Sequence, residues 1–328
     1  MSDSRIIADR RGLALVLTLL TISFLVALTL QLMATVDRQS AAAAAQRESV
    51  RLDGMVLAGL SLARGALAAD LKENEYDSPH DLWGRLDEEK LKAVSDEVSL
   101  AVKVTDLGGR LQIHALADPS KEGYRQVWLR LLLSGRFAIS DQDQAEALLD
   151  AIDDWVDEDD DERPSGAEEN YYQGLQPPYS CRNGVIPAVE ELLLVKGMTA
   201  ELLYGDAEHD GLIEYITIAG DDGRVHLNTA PVPVLQAMSA DMTPELAQDL
   251  VAFREDPQNR ELLATVDWYR QVSGIPASID IENDLLAVVG KYFEIKVQAT
   301  YHQFIRRGTG ILLRDNEQKQ TLLQWKQE

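Results

Sequence analysis

The residues best suited to chemistry lie in one acidic stretch, between Asp150 and Glu169. Within it Asp157, Asp159 and Asp161 alternate along the chain, and Glu168 follows eleven residues after Asp157. Carboxylates at positions 1, 3, 5 and 12 are the hard oxygen ligands that an EF-hand loop offers to a calcium ion. Carboxylates this close together repel one another unless water or a cation compensates them. The stretch therefore predicts a calcium-binding loop.

The match to an EF-hand loop is incomplete. Glu162 stands where that loop needs Gly, and Pro164 falls where a short strand would pair. We therefore predict a calcium loop of a different kind, in which Gly166 gives the turn that brings Glu168 back to the aspartates. The alternative, from composition alone, is a solvated acidic loop that binds no ion.

Motifs for catalysis are absent from the sequence. It has no Walker loop, no GxSxG and no HExxH, and its five histidines are scattered outside any metal-ligand spacing. Cys181 is the only cysteine, so neither a CxxC pair nor an intramolecular disulfide can form. A metal-dependent hydrolase built around Asp157 stays open as an alternative, although no general base of another type lies close to it in the sequence.

The charge balance argues against nucleic-acid binding. The chain has 328 residues, with 31 Lys and Arg against 55 Asp and Glu, which gives a net charge of −24. Residues 228–231, followed by the helical pattern of 236–254, suggest a helix-hairpin-helix, a module that grips the DNA backbone with the help of nearby Lys and Arg. This stretch offers Arg254 among several acidic residues, so we expect the fold without that ligand. A membrane-anchored DNA-binding protein is the alternative function.

The N-terminal segment carries a second signal, centred on Gly12. Basic residues precede it, and a long uncharged run, residues 13–36, follows it. Such a run can cross a hydrocarbon core of about 30 Å as a helix, and the basic flank favours a cytoplasmic N-terminus. A Gly directly before the run looks like the site of a type IV prepilin peptidase, which cuts after the Gly and leaves the helix in place. A secretory signal cleaved near the alanine tract 41–45 is the alternative.

Helical periodicity continues beyond the apolar run. Apolar residues recur at spacings of three and four as far as Leu71, so they share one face. The pattern predicts one helix from Leu13 to about Leu71, and the alternative is an anchor followed by a separate amphipathic helix.

The rest of the chain reads as helices between two stretches of strand pattern. Residues 98–105 and 110–116 alternate across a Gly-rich turn, which predicts a β-hairpin. Helical patterns follow at 125–133, 142–155, 188–195, 233–239, 244–254 and 261–271, and strand signals return at 292–299, 310–313 and 322–325. Because a lone hairpin is marginal in water, we predict a helical domain inserted into one sheet rather than a separate β domain.

These pieces together resemble the type II secretion minor pseudopilin K, also called general secretion pathway protein K. The motifs that carry the resemblance are Arg10-Arg11-Gly12-Leu13-Ala14-Leu15, Tyr76-Asp77-Ser78 with Trp83, Asp154-Trp155-Val156-Asp157-Glu158-Asp159, Gly166-Ala167-Glu168-Glu169-Asn170-Tyr171-Tyr172, Pro177-Pro178-Tyr179, Glu190-Glu191-Leu192 with Val195-Lys196-Gly197-Met198-Thr199, and Leu227-Asn228-Thr229-Ala230-Pro231. Each motif is weak alone, but their order and spacing make the set specific, and it covers nearly the whole chain.

The resemblance implies an α+β fold. It would consist of an N-terminal long pilin helix with a transmembrane segment, a pilin-like antiparallel sheet, and a large inserted all-α domain that is SAM-like or helix-hairpin-helix-like. The implied segments are a prepilin leader (1–12), a transmembrane helix (13–36), a first pilin-like part with helix and β-hairpin (37–118), an inserted α-helical domain with the calcium loop (119–286), and a second pilin-like part made of strands (287–328).

The resemblance also implies a structural role without enzymatic turnover. Proteins of this family cap the tip of the periplasmic pseudopilus with minor pseudopilins I and J, and they bind calcium in the helical part. The implied partners here are those two proteins, the major pseudopilus subunit and the prepilin peptidase, with no nucleic acid. The implied location is the bacterial inner membrane, crossed once, with the soluble domains in the periplasm. The implied calcium ligands are Asp157, Asp159, Asp161, Glu168 and Glu169.

One departure from ordinary pilins supports the K type. Most pseudopilins have Glu at the fifth mature position, where it can partner the terminal amine of a neighbouring subunit, whereas this chain has Leu17. A carboxylate in lipid without a partner is costly, so a subunit with no neighbour above it is better off without one.

We predict that processing cuts between Gly12 and Leu13, because Gly has no side chain to hinder the peptidase. Mass spectrometry of the membrane-extracted protein should show Leu13, methylated, at the N-terminus. An N-terminus within residues 41–46 would mean a cleaved secretory signal and would exclude a pseudopilin.

Overall fold

The computed structural model describes residues 10–73, 75–86, 91–92, 98–315 and 319–328. Most of the predicted leader, residues 1–9, lies outside the described residues. The chain divides into two units, one that ends at Met55 and a second, compact unit that spans Val56–Glu328.

The N-terminal helix, α1, runs from Arg10 to Glu73 and confirms the single long helix predicted from periodicity. Thr18, Thr21 and Thr29 lie in its apolar part, and each hydroxyl donates to a backbone carbonyl three or four residues earlier. These bonds satisfy the polar groups within the helix itself. Among the described residues, α1 is the one helix that is long and apolar enough to cross a membrane, judged by length and composition over Gly12–Asp70. Its most apolar window has a mean hydropathy of 2.6.

Shorter helices follow α1. One long strand precedes them and three long strands follow them. The α-helices are α2 (Glu122–Leu132), α3 (Gln142–Val156), α4 (Glu169–Gln173), α5 (Ala200–Tyr204), α6 (Val232–Ala237) and α7 (Pro244–Glu255). Short 3-10 helices cover Leu107–Gly109, Ile113–Ala117, Val189–Leu194, Leu212–Glu214, Pro257–Ala264, Val266–Gln271 and Asn283–Leu285. The strands are β1 (Leu91–Lys92), β2 (Val98–Asp106), β3 (Leu111–Gln112), β4 (Ile216–Thr217), β5 (Val225–His226), β6 (Leu286–Ala287), β7 (Tyr292–Tyr301), β8 (Phe304–Arg314) and β9 (Gln320–Gln327).

The main sheet has the strand order β1-β2-β7-β8-β9, and all its neighbours are antiparallel. β2 pairs with β7 along its whole length, from Val98 opposite Tyr301 to Asp106 opposite Phe293. The chain between Leu107 and Lys291 therefore leaves and re-enters the sheet between two neighbouring strands. The α+β class predicted from the sequence is the class observed.

The predicted β-hairpin at residues 98–116 is wrong. β2 pairs with β7, and β3 pairs in parallel with β4 inside the inserted segment. The chain turns away after β2 because the Asp106 carboxylate accepts a hydrogen bond from Gly108 N at 2.9 Å. A Cβ on Gly109 would lie 2.7 Å from the Thr229 backbone, so the turn packs against the inserted segment and does not fold back on β2.

The predicted helices are confirmed in part. α2, α3, α6 and α7 lie within a few residues of the predicted segments, and β7, β8 and β9 extend the predicted strands. The segments at 188–195 and 261–271 form 3-10 helices instead. The second of these is split at Thr265, whose backbone is extended with φ −118° and ψ 147°.

The part of α1 in the second unit packs on the main sheet at glycine positions. A Cβ on Gly59 would lie 2.5 Å from a methyl of Val297, and a Cβ on Gly308 would lie 2.5 Å from a methyl of Val56. Ala63 and Val56 are fully buried on the same helix face. The small residues let helix and sheet approach closely, which a larger side chain at either glycine would prevent.

Asp77 connects the chain after α1 to the sheet and to the inserted segment. Its backbone N–H donates to the Val288 carbonyl, and its carbonyl accepts from Asn228 Nδ2 at 2.8 Å. Its carboxylate accepts from Gly290 N at 2.7 Å and forms an ion pair with Arg314 of β8. Asp77 and Arg314 are both buried, so the pair is shielded from water.

We expect Asp77→Asn to destabilise the protein by about 3–5 kcal/mol, because it leaves the buried Arg314 without its main charge partner. Urea unfolding of the purified chain measures this change. The control is Asp280→Asn, which removes a 74% exposed partner of Arg270 and should cost about 1 kcal/mol or less. Equal losses in the two variants would contradict the assigned role of Asp77.

Candidate metal centre

The acidic stretch begins on the last turn of α3. Asp141 caps the start of this helix, accepting a hydrogen bond from Gln144 N at 2.9 Å, and Asp157 is the residue at its C-terminal cap. Asp153 and Asp154 lie on the turn before. The C-terminus of a helix carries partial negative charge, so aspartates here are unfavourable unless positive charge compensates them.

Three carboxylates converge after this turn. Asp154, Asp157 and Glu168 each place one oxygen within 4.8 Å of the oxygens of the other two. Asp154 and Glu168 are buried and Asp157 is half-buried. Like charges held at this distance and away from water favour protonation or the binding of a cation.

The turn around Asp154 positions the group. The Asp154 carboxylate accepts hydrogen bonds from Ala167 N at 2.8 Å and from Arg163 N at 3.3 Å. A Cβ on Gly166 would lie 1.9 Å from Asp154 Oδ2. Gly166 is therefore required for close approach of the backbone to this carboxylate, which in turn brings Glu168 to the site.

Several oxygens in this group are buried without a hydrogen-bond partner. In the described part of the chain, neither carboxylate oxygen of Glu168 accepts a hydrogen bond of normal geometry, although the Cys181 thiol lies nearby, and Asp157 Oδ1 has no hydrogen-bond partner either. Buried carboxylate oxygens without donors are costly. Three such atoms in one cluster fit a hard cation as their common partner.

The electrostatics of the group agree with this geometry. Burial, together with the charges of Asp154 and Asp157, raises the pKa of Glu168 to about 7. Burial, together with the charges of Asp159 and Asp154, raises the pKa of Asp157 to about 6. Without a cation these groups bind protons close to neutral pH, and a bound cation would displace those protons.

A neighbouring acidic pair is compensated by arginines. Arg125 forms ion pairs with Asp150 and with Asp153, and Arg163 Nε lies 2.6 Å from Asp153 Oδ2. These groups form a structural ion-pair network, although burial outweighs the two arginines and raises the pKa of Asp153 to about 7. In contrast, Asp154, Asp157 and Glu168 form no salt bridge with any described residue.

The predicted ligands divide into two sets. Asp157 and Glu168 lie in the group, whereas Asp159 and Asp161 are exposed and lie outside it. Asp159 Oδ1 accepts a hydrogen bond from Asp161 N at 2.9 Å, which closes a local turn. Glu169 also lies outside the group, because its Oε2 accepts from Cys181 N at 2.7 Å.

Asp154 is the member of the group that sequence reasoning missed. It precedes Asp157 by three residues, about one turn of helix, whereas the EF-hand spacing includes only Asp157 and residues after it. The signal that could have found it is the helical spacing of acids at the end of α3.

Asn183 brings a distant loop to the acidic stretch. Its Nδ2 donates to the Asp159 carbonyl and to the Asp160 carboxylate, both at 2.8 Å. Its Oδ1 is buried and has no hydrogen-bond partner among the described residues. Its backbone has a positive φ of 43°, which Asn tolerates better than most residues.

The arginine of the expected helix-hairpin-helix segment is bound inside the protein. Arg254 is buried, and its guanidinium donates to the carbonyls of Leu227 at 2.8 Å and Ala230 at 2.7 Å. Burial lowers its pKa to about 10. Because the Arg254 guanidinium is buried against the loop 227–230 and hydrogen-bonded to it, its charge is not available to a phosphate backbone.

Comparisons with known proteins agree with this fold. Two sequence models of the family described as type II secretion system protein K match residues 109–205 and 225–288. Type II secretion system protein K of Pseudomonas aeruginosa is 28% identical over 209 residues, which cover 60% of this chain and 58% of that protein. The protein of the same name from Aeromonas hydrophila is 27% identical over 248 residues, which cover 70% of each chain.

A solved structure has the same fold. It is the crystal structure of the GspK-GspI-GspJ complex from the type 2 secretion system of enterotoxigenic Escherichia coli. The match has a TM-score of 0.67 at 19% identity, and it covers 87% of this chain and 98% of the other.

The long apolar helix, the antiparallel sheet and these matches define a minor pseudopilin of a type II secretion system. Within that class, the chain belongs to the family of type II secretion system protein K.

Proposed function

We propose that this chain caps the tip of the periplasmic pseudopilus and initiates its assembly, for export of folded proteins across the outer membrane. The observation that carries the proposal is the long insertion between β2 and β7, which adds bulk to a pilin-like body. Such bulk leaves little room for another subunit to stack above this one. Leu17 supports the same position, because it offers no charge to a following subunit. The role is structural and requires no turnover.

The proposed location is the bacterial inner membrane. α1 would cross it once through residues 13–36, and the second unit would lie in the periplasm. The basic residues before Gly12 support this orientation. Prepilin peptidase would remove residues 1–12 at the cytoplasmic face.

The proposed partners are minor pseudopilins I and J, and the major pseudopilus subunit below them. The similar Escherichia coli structure is a complex with GspI and GspJ, which supports the first two partners. On this chain the exposed face of α1 around Leu57 and Leu62 offers apolar area for neighbouring helices.

We expect the purified chain to form a complex with minor pseudopilins I and J at one copy each, and not to polymerise alone. Size-exclusion chromatography with mass measurement in detergent tests both points. The matched cellular test is a deletion, which should impair secretion while the major pseudopilin remains stable. Labelled copies distributed along the shaft of pseudopili would contradict the tip position.

We further propose that the group of Asp154, Asp157 and Glu168 binds calcium. The buried oxygens of Glu168 and Asp157, which lack hydrogen-bond partners of normal geometry, support a hard cation. Bound calcium would supply the positive charge that the end of α3 lacks. By sharing the ion, Asp154, Asp157 and Glu168 would hold the acidic loop against the turn around Gly166.

Without calcium, we expect stability to fall as pH rises. The folded-state pKa values of Asp157 and Glu168, about 6 and 7, lie above their ordinary values. The folded state therefore binds more protons than the unfolded state, and stability declines from about pH 4 until both groups are ionised above about pH 7. With chelator, the melting temperature of the purified chain should fall across this interval.

Calcium should reduce that decline, and the part that remains comes from Asp153, which lies outside the group and whose pKa burial also raises to about 7. At a hundredfold excess over Kd, binding only to the folded state adds about 2.7 kcal/mol. Glu168→Gln should abolish the calcium response, whereas the control Asp161→Asn, at an exposed carboxylate outside the group, should retain it. Identical melting curves with calcium and with chelator at pH 8 would contradict calcium binding and support the alternative of a solvated acidic loop.

A further inference from the structure

Lys196 contacts the turn that forms the proposed calcium site, although 30 residues separate it from Gly166 along the chain. Its ammonium donates to the Gly166 carbonyl at 2.7 Å and to the Ser165 carbonyl at 3.2 Å. The same ammonium lies over the ring of Tyr171, 5.1 Å from the ring centroid. The side chain is half-buried, and its charged end is bound to the main chain of the turn.

One peptide group connects Lys196 to the carboxylates. Its C=O belongs to Gly166 and accepts from Lys196, and its N–H belongs to Ala167 and donates to Asp154 Oδ2 at 2.8 Å. Because a peptide group is planar, a partner that fixes the direction of the C=O also fixes the direction of the N–H. Hydrogen bonds in such a chain polarise and strengthen one another. Lys196 therefore aims a donor at Asp154 through the backbone.

The turn must approach Asp154 closely for the carboxylates to converge. A Cβ on Gly166 would lie 1.9 Å from Asp154 Oδ2, so the backbone is in contact with this carboxylate. Glu168 follows two residues later and is brought to the group by the same turn. Since Asp154, Asp157 and Glu168 repel one another when they are ionised, a turn without a cation stays closed only if something outside the group holds it. The two carbonyl hydrogen bonds of Lys196 do this.

The position of Lys196 is itself fixed by the end of α3. The turn 195–198 is closed by a backbone hydrogen bond of 3.1 Å between its first and last residues, and Gly197 has a φ of 85°, as the third position of a type II turn requires. The Lys196 N–H donates to the Tyr172 hydroxyl at 3.2 Å. Tyr172 is buried edge-to-face against Trp155 of α3, with ring centroids 4.8 Å apart. The lysine is thus anchored to the helix that carries the acidic group at its end.

Two effects of Lys196 on a bound cation have opposite signs. Its positive charge repels a cation, and this repulsion is screened by salt. Its hydrogen bonds place the carboxylates in advance, which lowers the cost of ordering them when the cation binds and depends little on salt. The ammonium faces two carbonyl oxygens and an aromatic ring, whose negative partial charges offset its own. We therefore expect the second effect to be the larger.

We propose that Lys196 is a positioning residue for the calcium site. It holds the Gly166–Ala167 peptide so that Asp154 and Glu168 are in place when the ion arrives. The inference rests on the proposed calcium binding, and it adds that the affinity for calcium depends on a lysine outside the carboxylate group. An ammonium has no lone pair to offer a metal, so its effect on affinity is indirect.

Calorimetric titration of the full chain in detergent with calcium chloride tests this role. Lys196→Met keeps an apolar stem but removes the donors, and it should weaken calcium binding about tenfold or more, because hydrogen bonds from a charged donor are lost. Lys196→Arg should retain most of the affinity, since a guanidinium can donate to the same carbonyls. Lys196→Gln, which keeps a donor without the charge, should fall between the two. The matched control is Lys121→Met, which removes a lysine hydrogen bond to the Asp221 carbonyl at 2.7 Å outside the site and should leave calcium affinity unchanged.

Melting curves separate positioning from a general loss of stability. At one calcium concentration, the rise in melting temperature over the value in chelator should be smaller in Lys196→Met than in the wild-type chain. An equal rise in the two chains would show a merely structural role and would overturn the inference. Calcium affinity that is unchanged in Lys196→Met, or tighter because charge repulsion dominates, would overturn it as well and would leave the calcium site intact. If the wild-type chain bound no calcium, the proposed calcium site would be wrong, and the role of Lys196 with it.

Discussion

The buried ion pair between Asp77 and Arg314 is the interaction on which the arrangement of the second unit depends. An insertion between two hydrogen-bonded strands must be held where it leaves and where it returns, or it would pivot about the sheet. Asp77 binds the returning chain at Val288 and Gly290, and it binds β8 through Arg314. A buried pair of this kind contributes little net stability compared with apolar residues, but each charge requires its partner in place. It therefore specifies one geometry.

The departing chain is held by a second buried pair. Asp106, the last residue of β2, contacts His226 of β5 and Thr229, and a Cβ on Gly290 would lie 2.8 Å from its carboxylate. The two ends of the insertion thus meet at Gly290, between the carboxylates of Asp77 and Asp106. Asp77 is paired with Arg314, which also lies 3.8 Å from the buried Asp70, and Asp106 is paired with His226. Burial opposes ionisation of Asp106, but the contacts with His226, Thr229 and Gly108 outweigh it and keep the pKa of Asp106 below its ordinary value.

The end of α3 presents the same physical problem with a different solution. Asp150 and Asp153 have Arg125 and Arg163 as partners, as at the junction, but Asp154, Asp157 and Glu168 have no cationic side chain within ion-pair distance among the described residues. The two ends of the insertion must stay in place under all conditions, and a cationic side chain, which cannot dissociate from the protein, suits this role. If the proposed calcium binds there, the stability of the acidic loop would instead depend on the concentration of that ion. This contrast is the physical reason for proposing a metal at the end of α3.

Local patterns predicted what depends on local sequence, and they failed where distant residues decide. The long helix, α3 and the strands β7 to β9 follow from periodicity, which is a property of neighbouring residues. The hairpin at 98–116 failed because the partner of β2 lies almost two hundred residues later, at β7. The acidic loop could be located from composition, but which carboxylates converge depends on the approach of Gly166 to Asp154, an atomic contact that spacing does not encode. Asp77 and Arg314 show the limit most clearly, since 237 residues separate the two halves of one ion pair. A buried charge in a sequence predicts that a partner exists, and only the fold shows which residue it is.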